Sequence, residues 1–100
     1  MPLVATVVDA KVSGPCSLRL RFTDGLVGEV HLRPAAEAGG ALLTPLLDPG
    51  FFAKVRVDPE AGTVVWPNGA DLDPDVLHHA VATGLDIPAA RRALTAKYTA

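Results

Sequence analysis

The sequence has little cysteine and few aromatic residues, and each shortage excludes a class of protein. A single cysteine, Cys16, stands among the 100 residues, so no intramolecular disulfide can form. A small secreted domain held together by disulfides is therefore excluded. Aromatic residues make up 5% of the chain, and no stripe of basic and aromatic residues joins them. This scarcity argues against a stacking platform for nucleic acid.

Long apolar runs are also missing. The run from Leu3 to Val8 follows no positively charged segment and ends at Asp9. It is far shorter than the roughly 20 residues that a membrane-spanning helix needs. We therefore expect a soluble, cytoplasmic protein without a membrane partner.

The composition that is present is typical of a folded domain. Hydrophobic residues make up 49% of the chain and the formal net charge is -2, a balance that argues against disorder. A chain of this length fits one domain. We place a compact domain at residues 1–85 and a C-terminal tail at 86–100, with a helical pattern over 87–98. The tail carries Arg91, Arg92 and Lys97 against Asp86, which would attract nucleic acid only weakly and at low salt.

Alternation of apolar and polar residues predicts about five strands in a mainly antiparallel sheet. In the first strand, Val8, Ala10 and Val12 would share the buried face. The strands are predicted at residues 3–12, 17–22, 26–32, 51–57 and 63–66, with a turn at 13–15 and a hairpin connection at 58–62.

The second and third strands form a hairpin whose loop could have two lengths. A two-residue loop would pair Leu20 with Glu29 and place a carboxylate on the apolar face. A three-residue loop, Thr23 to Gly25, pairs Leu20 with Gly28 and sets Arg19 opposite Glu29. Because this keeps charge out of the core and supplies a cross-strand ion pair, we predict the three-residue loop.

Two or three short helices complete a small α+β domain. The dipeptide Asp73-Pro74 is typical of a helix N-terminus and Gly84 of a C-terminus, so a helix is predicted between them. Leucines at helical spacing within residues 41–47 predict another short helix, whereas residues 33–40 are predicted to form a loop.

The polar clusters lack the spacing that metal sites need. Asp71, Asp73 and Asp75 alternate like the start of a calcium loop, but Val76 and Ala82 stand where that loop needs glycine and glutamate. The neighbouring histidines His78 and His79 do not share a helix face, and a zinc site needs further ligands. We therefore predict no metal site and no cofactor.

The candidates for nucleophilic chemistry are equally isolated. Cys16 would need a nearby base such as His31, which the hairpin brings to the same end of the sheet, and a thiol without that activation is inert. We predict that the chain is not an enzyme.

The run after the last predicted strand is the most distinctive motif, Trp66-Pro67-Asn68-Gly69-Ala70-Asp71-Leu72. Together with the hairpin at Asp24-Gly25 and the pair Phe51-Phe52, it resembles the bacterial "domain of unknown function 2442" family over residues 3–79. His31 departs from the family pattern, which usually carries aspartate there.

The resemblance implies a small α+β domain and supplies no established activity. Some relatives append a helix-turn-helix domain, and this chain is expected to end too soon to hold one. Others are associated with small uncharacterised proteins in toxin–antitoxin-like pairs, and this association implies a protein partner.

The Trp66–Asp71 motif has two interpretations. Pro67 restricts the backbone, and Asn68 and Gly69 tolerate positive φ, so the turn should be rigid. It is either a strand-to-helix connector with Trp66 in the core, or an interaction turn formed by Trp66, Pro67, Asn68, Gly69 and Asp71.

Two functional hypotheses follow. The first is a non-catalytic protein-interaction module that binds another small protein or a second copy of itself. The alternative is a DNA-associated transcriptional regulator without its own helix-turn-helix; the tail charges favour it, but the net negative charge argues against nucleic acid as a partner.

Overall fold

The computed structural model describes residues 5–99, with side chains for residues 5–95. Residues 3 and 4 of the first predicted strand lie outside this range. The strands are β1 (Val7–Gly14), β2 (Ser17–Phe22), β3 (Val27–His31), β4 (Arg56–Asp58) and β5 (Thr63–Val65). The helices are α1 (Arg33–Ala38), α2 (Gly40–Leu43), α3 (Pro49–Phe52), α4 (Pro74–Thr83) and α5 (Ile87–Thr99), with a 3-10 helix at Thr44–Leu47.

The predicted α+β class is confirmed. The strands form two antiparallel sheets, one ordered β1-β2-β3 and the other β4-β5. Among residues 5–99, no helix has the length and apolar character to cross a membrane.

The predicted three-residue hairpin loop between β2 and β3 is confirmed. Leu20 pairs with Gly28 and Arg19 with Glu29, and Gly25 has the left-handed φ of 91° that this loop requires. Leu20 is 1% exposed. Over the described residues, no ion pair within 4.0 Å joins Arg19 to Glu29, so burial of the apolar face accounts for this register without a cross-strand ion pair.

The predicted buried face of the first strand is wrong in part. A β-bulge lies between Val7 and Asp9 and adds one residue, which shifts the alternation of side chains. Val7 is therefore buried at 2%, while Val8 in the bulge is 41% exposed. Val12 pairs with Leu18 and lies on the same side of the sheet as Ala10, but near the end of this edge strand it is 46% exposed. Ala10 alone of the predicted trio packs against the core.

The predicted loop at residues 33–40 is wrong, because α1 occupies most of it. Pro34 lies in the first turn of α1, where a missing N–H costs no helical hydrogen bond. Ala35 and Ala36 then turn inward and are buried. Burial of this small apolar face favours a helix over a loop.

The predicted strand at residues 51–57 is wrong in its first half. Asp48 caps α3 by accepting a hydrogen bond from Gly50 N at 3.3 Å, and Pro49 occupies the first helical turn. Phe51 and Phe52 are therefore helical, and Phe52 is buried. Only Arg56–Asp58 remains as a strand.

The predicted hairpin connection at residues 58–62 is confirmed. Arg56 pairs with Val65 and Asp58 with Thr63. The loop ends at Gly62, whose carbonyl accepts a hydrogen bond from Val7 N at 2.9 Å. This bond joins the small sheet to the start of β1.

The helix predicted after Asp73-Pro74 is confirmed, and so is the C-terminal helical pattern. Asp73 Oδ1 accepts a hydrogen bond from Asp75 N at 2.8 Å, and Gly84 ends α4 with a left-handed φ of 79°. α5 packs against α4, and its Ile87 and Ala90 are 3% and 0% exposed. The first turns of α5 therefore belong to the same hydrophobic core as the strands.

Candidate functional site

Cys16 lies in the tight turn between β1 and β2, so the turn predicted at residues 13–15 is wrong in its placement. Gly14 still belongs to β1, and Cys16 has a positive φ of 54° after Pro15, as in turns with proline at the second position. Its thiol is buried and donates a hydrogen bond to Leu46 O at 3.6 Å. Burial raises the pKa of this thiol, which disfavours the reactive thiolate. The thiol therefore has a packing role here.

Two of the histidines contact polar side chains and thereby stabilise the fold. His31 Nδ1 lies 2.5 Å from Ser17 Oγ, across the β2–β3 pair, and Ser17 is only 3% exposed. A serine so deeply buried is closed to substrate. The contact ties the ends of the two strands together.

His78 connects α4 to the hairpin tip. Its Nε2 lies 2.7 Å from Asp24 Oδ2, and its ring meets Phe22 edge-on at 4.9 Å. The pKa of Asp24 is lowered, first by the hydrogen bond from Leu26 N and then by His78. The contact between His78 and Asp24 holds the β2–β3 hairpin against α4.

The three alternating aspartates are exposed on the protein surface. Asp73 caps α4, as described above, and the backbone of Asp71 forms an isolated antiparallel β-bridge with Val65. Among the described residues, no group of three or more histidine, cysteine or acidic side chains could hold a metal ion.

The Trp66–Asp71 turn combines buried and exposed residues. Trp66 is 2% exposed, and its indole Nε1 donates to Phe52 O at 3.0 Å. Its ring lies 5.8 Å from that of Phe52, so its side chain is part of the core. Pro67, Asn68, Gly69 and Asp71 remain exposed.

Asn68 is the residue that gives the turn its shape. Its Oδ1 accepts a hydrogen bond from Ala70 N, and its Nδ2 donates to Leu42 O, both at 3.0 Å. Trp66 N donates to Ala70 O at 2.9 Å and closes the turn. The turn thereby positions α2, the helix that carries Leu43.

Leu43 belongs to a groove beside α5 that sequence reasoning missed. We call it the α5 groove; it has three adjoining sections, all of which include Arg91. The first section, about 240 Å³, is lined by Ala35, Ala38, Gly39, Leu43, Leu72, Ile87, Pro88 and Arg91. The second, about 490 Å³, is lined by Leu43, Ala61, Thr63, Asp71, Leu72, Asp73, Pro74 and Arg91. The third, about 230 Å³, is lined by Asp73, Asp75, Val76, Arg91, Leu94 and Thr95.

The charges of the α5 groove are arranged around an apolar floor. Leu72 and Ile87 are 5% and 3% exposed, and Thr63 Oγ1 fixes the floor by donating to Leu72 O at 2.5 Å. Over residues 5–95, Arg91 forms no ion pair within 4.0 Å, although three aspartates line the same groove. The groove therefore presents uncompensated charge beside apolar surface.

The structure brings one residue of the predicted turn into this groove, Asp71, and connects a second, Asn68, to its wall. Leu43 and Arg91 were beyond prediction, because they are distant in sequence and meet only through packing. Of the charged tail residues, Arg91 and Arg92 are exposed on α5, and the side chain of Lys97 lies outside the described residues.

The structure is thus that of a small α+β domain with an open groove on its helical side. The chain belongs to a family described as "Protein of unknown function (DUF2442)", whose family model matches residues 7–83. No curated protein matches the chain.

A solved structure shares this fold. It is the crystal structure of a protein from Nitrosomonas europaea ATCC 19718 named "putative DNA binding protein". Its TM-score to this chain is 0.63 at 25% identity, covering 80% of this chain and 50% of that one. This chain therefore spans half the length of that neighbour.

Proposed function

We propose that the chain is a non-catalytic protein-interaction module whose binding surface is the α5 groove. The observation that carries this proposal is the position of Arg91. It stands where the three sections of the groove meet, beside apolar Leu43 and Leu72 and without an ion-pair partner among the described residues. An apolar centre with a charged rim is the usual composition of a protein interface.

The size of the apolar section favours a protein side chain as its occupant. Its volume of about 240 Å³ lies below the roughly 300–1,000 Å³ of small-molecule sites. A single aromatic or long aliphatic side chain would fill it, as an anchor residue does at an interface. The partner is then a small protein, such as the second member of a toxin–antitoxin-like pair.

The net charge of the groove rim determines which charge the partner's side chains should carry. Asp71, Asp73 and Asp75 outnumber Arg91 in the second and third sections. Opposite charges across an interface accelerate association and select partners. We therefore expect an apolar anchor that is followed by lysine or arginine.

A displayed library of random peptides, selected on the full chain, tests this expectation. The enriched peptides should share one large apolar anchor with a basic residue close to it. Replacing that anchor with alanine should weaken binding by at least about 25-fold, the size of an interface hot spot.

Charge-neutral variants of the rim supply the matched control. Asp71→Asn and Asp75→Asn should each weaken the selected peptide by about two- to fivefold, while Glu60→Gln, exposed outside the groove, should leave binding unchanged. Selection of peptides without basic residues, or binding that ignores both rim variants, would contradict the proposal.

A second candidate function is DNA association through the open face of the three-stranded sheet. Lys11 pairs with Arg19, and Arg21 lies two residues further along β2 on the same face. All three are exposed and outnumber Asp9 and Glu29, which share that face. The name of the Nitrosomonas europaea neighbour favours the same function.

Titration of a labelled DNA duplex at several salt concentrations tests this candidate. The double variant Arg19→Glu/Arg21→Glu should weaken binding uniformly across sequences and lower the salt slope by about 2. Lys54→Glu, exposed in the loop before β4, is the control. Absence of salt-dependent binding by the unaltered chain would exclude DNA association.

A further inference from the structure

We propose that the open edge of β1 pairs with β1 of a second copy of the chain, antiparallel and with Ala10 on the twofold axis. β1 is an edge strand of eight residues in the β1-β2-β3 sheet. This surface is separate from the α5 groove, and the inference does not depend on the function proposed for that groove.

The backbone of β1 offers unpaired groups along this edge. Val7 N donates to Gly62 O at the start of the strand. Beyond Val7, within residues 5–95, no hydrogen bond joins β1 to anything other than β2. An edge of this kind is a template for another strand.

The charges of β1 select the register. Asp9 and Lys11 flank Ala10 on the open face of the sheet, where they pair with Arg21 and Arg19 of β2. A twofold axis at Ala10 sets each Asp9 opposite Lys11 of the other copy and makes two ion pairs. An axis at Lys11 would instead place two lysines against each other.

The same register covers exposed apolar surface. It sets Val12 of one copy opposite Val8 of the other, and these valines are 46% and 41% exposed in the single chain. The bulge beside Val8 limits the ladder at that end. A lysine on an edge strand usually discourages pairing, but here Asp9 of the second copy provides its partner.

Light scattering and sedimentation of the full chain over a concentration series test the proposal. The unaltered chain should form a dimer. Asp9→Lys and Lys11→Asp should each place like charges across the axis twice and weaken the dimer by about tenfold or more. The double variant Asp9→Lys/Lys11→Asp should restore dimerisation, because both ion pairs re-form with reversed polarity.

The control is Glu29→Lys, a charge reversal on the far strand of the same sheet, which should leave the dimer intact. Thermal unfolding of every variant separates a folding effect from an interface effect, since Asp9→Lys also faces Arg21 within the chain. A monomer at every concentration would overturn the proposal, and so would a dimer that ignores the single reversals. Failure of the double variant to recover would exclude this register.

Discussion

Replacing Trp66 with alanine is expected to lower the free energy of unfolding by about 3–5 kcal/mol, the usual cost of removing a large aromatic side chain from a core. The ring is 2% exposed and packs beside Phe52. Removal would leave a cavity and would also delete the indole hydrogen bond to the carbonyl of Phe52, which keeps its bond from Val55 N. Since domains of this size are stable by about 5–15 kcal/mol, much of the total would be lost. Urea denaturation with a far-ultraviolet circular dichroism readout measures the change.

The variant Trp66→Phe separates packing from hydrogen bonding. It retains most of the apolar surface but removes the indole donor, while Phe52 O still accepts a hydrogen bond from Val55 N at 3.2 Å. We therefore expect a cost of about 0.5–1.5 kcal/mol, the net contribution of one hydrogen bond. Asn68→Ala provides the comparison on the surface side of the turn, because it removes the side-chain bonds to Leu42 O and from Ala70 N and leaves Trp66 in place. A Trp66→Ala protein of unchanged stability would contradict the assignment of this side chain to the core.

Replacing Gly62 with alanine is expected to cost about 2–5 kcal/mol, from two sources: a left-handed backbone and overpacking. Gly62 has a φ of 70°, and a Cβ there would lie 2.7 Å from Thr6 Cγ2. The added methyl would push the β4–β5 hairpin away from the start of β1 and strain the bond from Val7 N to Gly62 O.

Gly25→Ala is the matched control, because its φ is 91° and nothing lies within 4 Å of the added Cβ. It should lower the free energy of unfolding only by the contribution of the left-handed backbone, about 1–2 kcal/mol. The difference between the two variants in chemical denaturation measures the close approach at Gly62. Equal costs would show that the two sheets do not meet as described.

The parts of the fold that could be predicted from sequence are those that local chemistry determines. The β2–β3 register was predictable because the alternative register would bury a carboxylate in the core. The start of α4 was predictable from the capping pattern of Asp73. The missed features depend on tertiary contacts. Neither the bulge beside Val8 nor the packing of α1 leaves a periodic signal, because each is stabilised by neighbours distant in the chain.

The candidate site was predictable only at its edge. The turn motif pointed to Asp71 and to a rigid backbone, both of which contribute to the α5 groove. An apolar wall residue and the central charge come from Leu43 and Arg91, which lie on different helices. Trp66, the residue most suggestive of a binding surface, lies in the core because its ring fits beside Phe52.

Chemical-shift mapping on the isotope-labelled chain tests the assignment of the α5 groove most directly, with a library-selected peptide as the probe. We expect the largest amide shifts in residues 39–43, 71–75 and 87–95, and we expect them to shrink in the Asp71→Asn/Asp75→Asn protein. Shifts confined to the open face of the three-stranded sheet, around Arg19 and Arg21, would contradict this assignment.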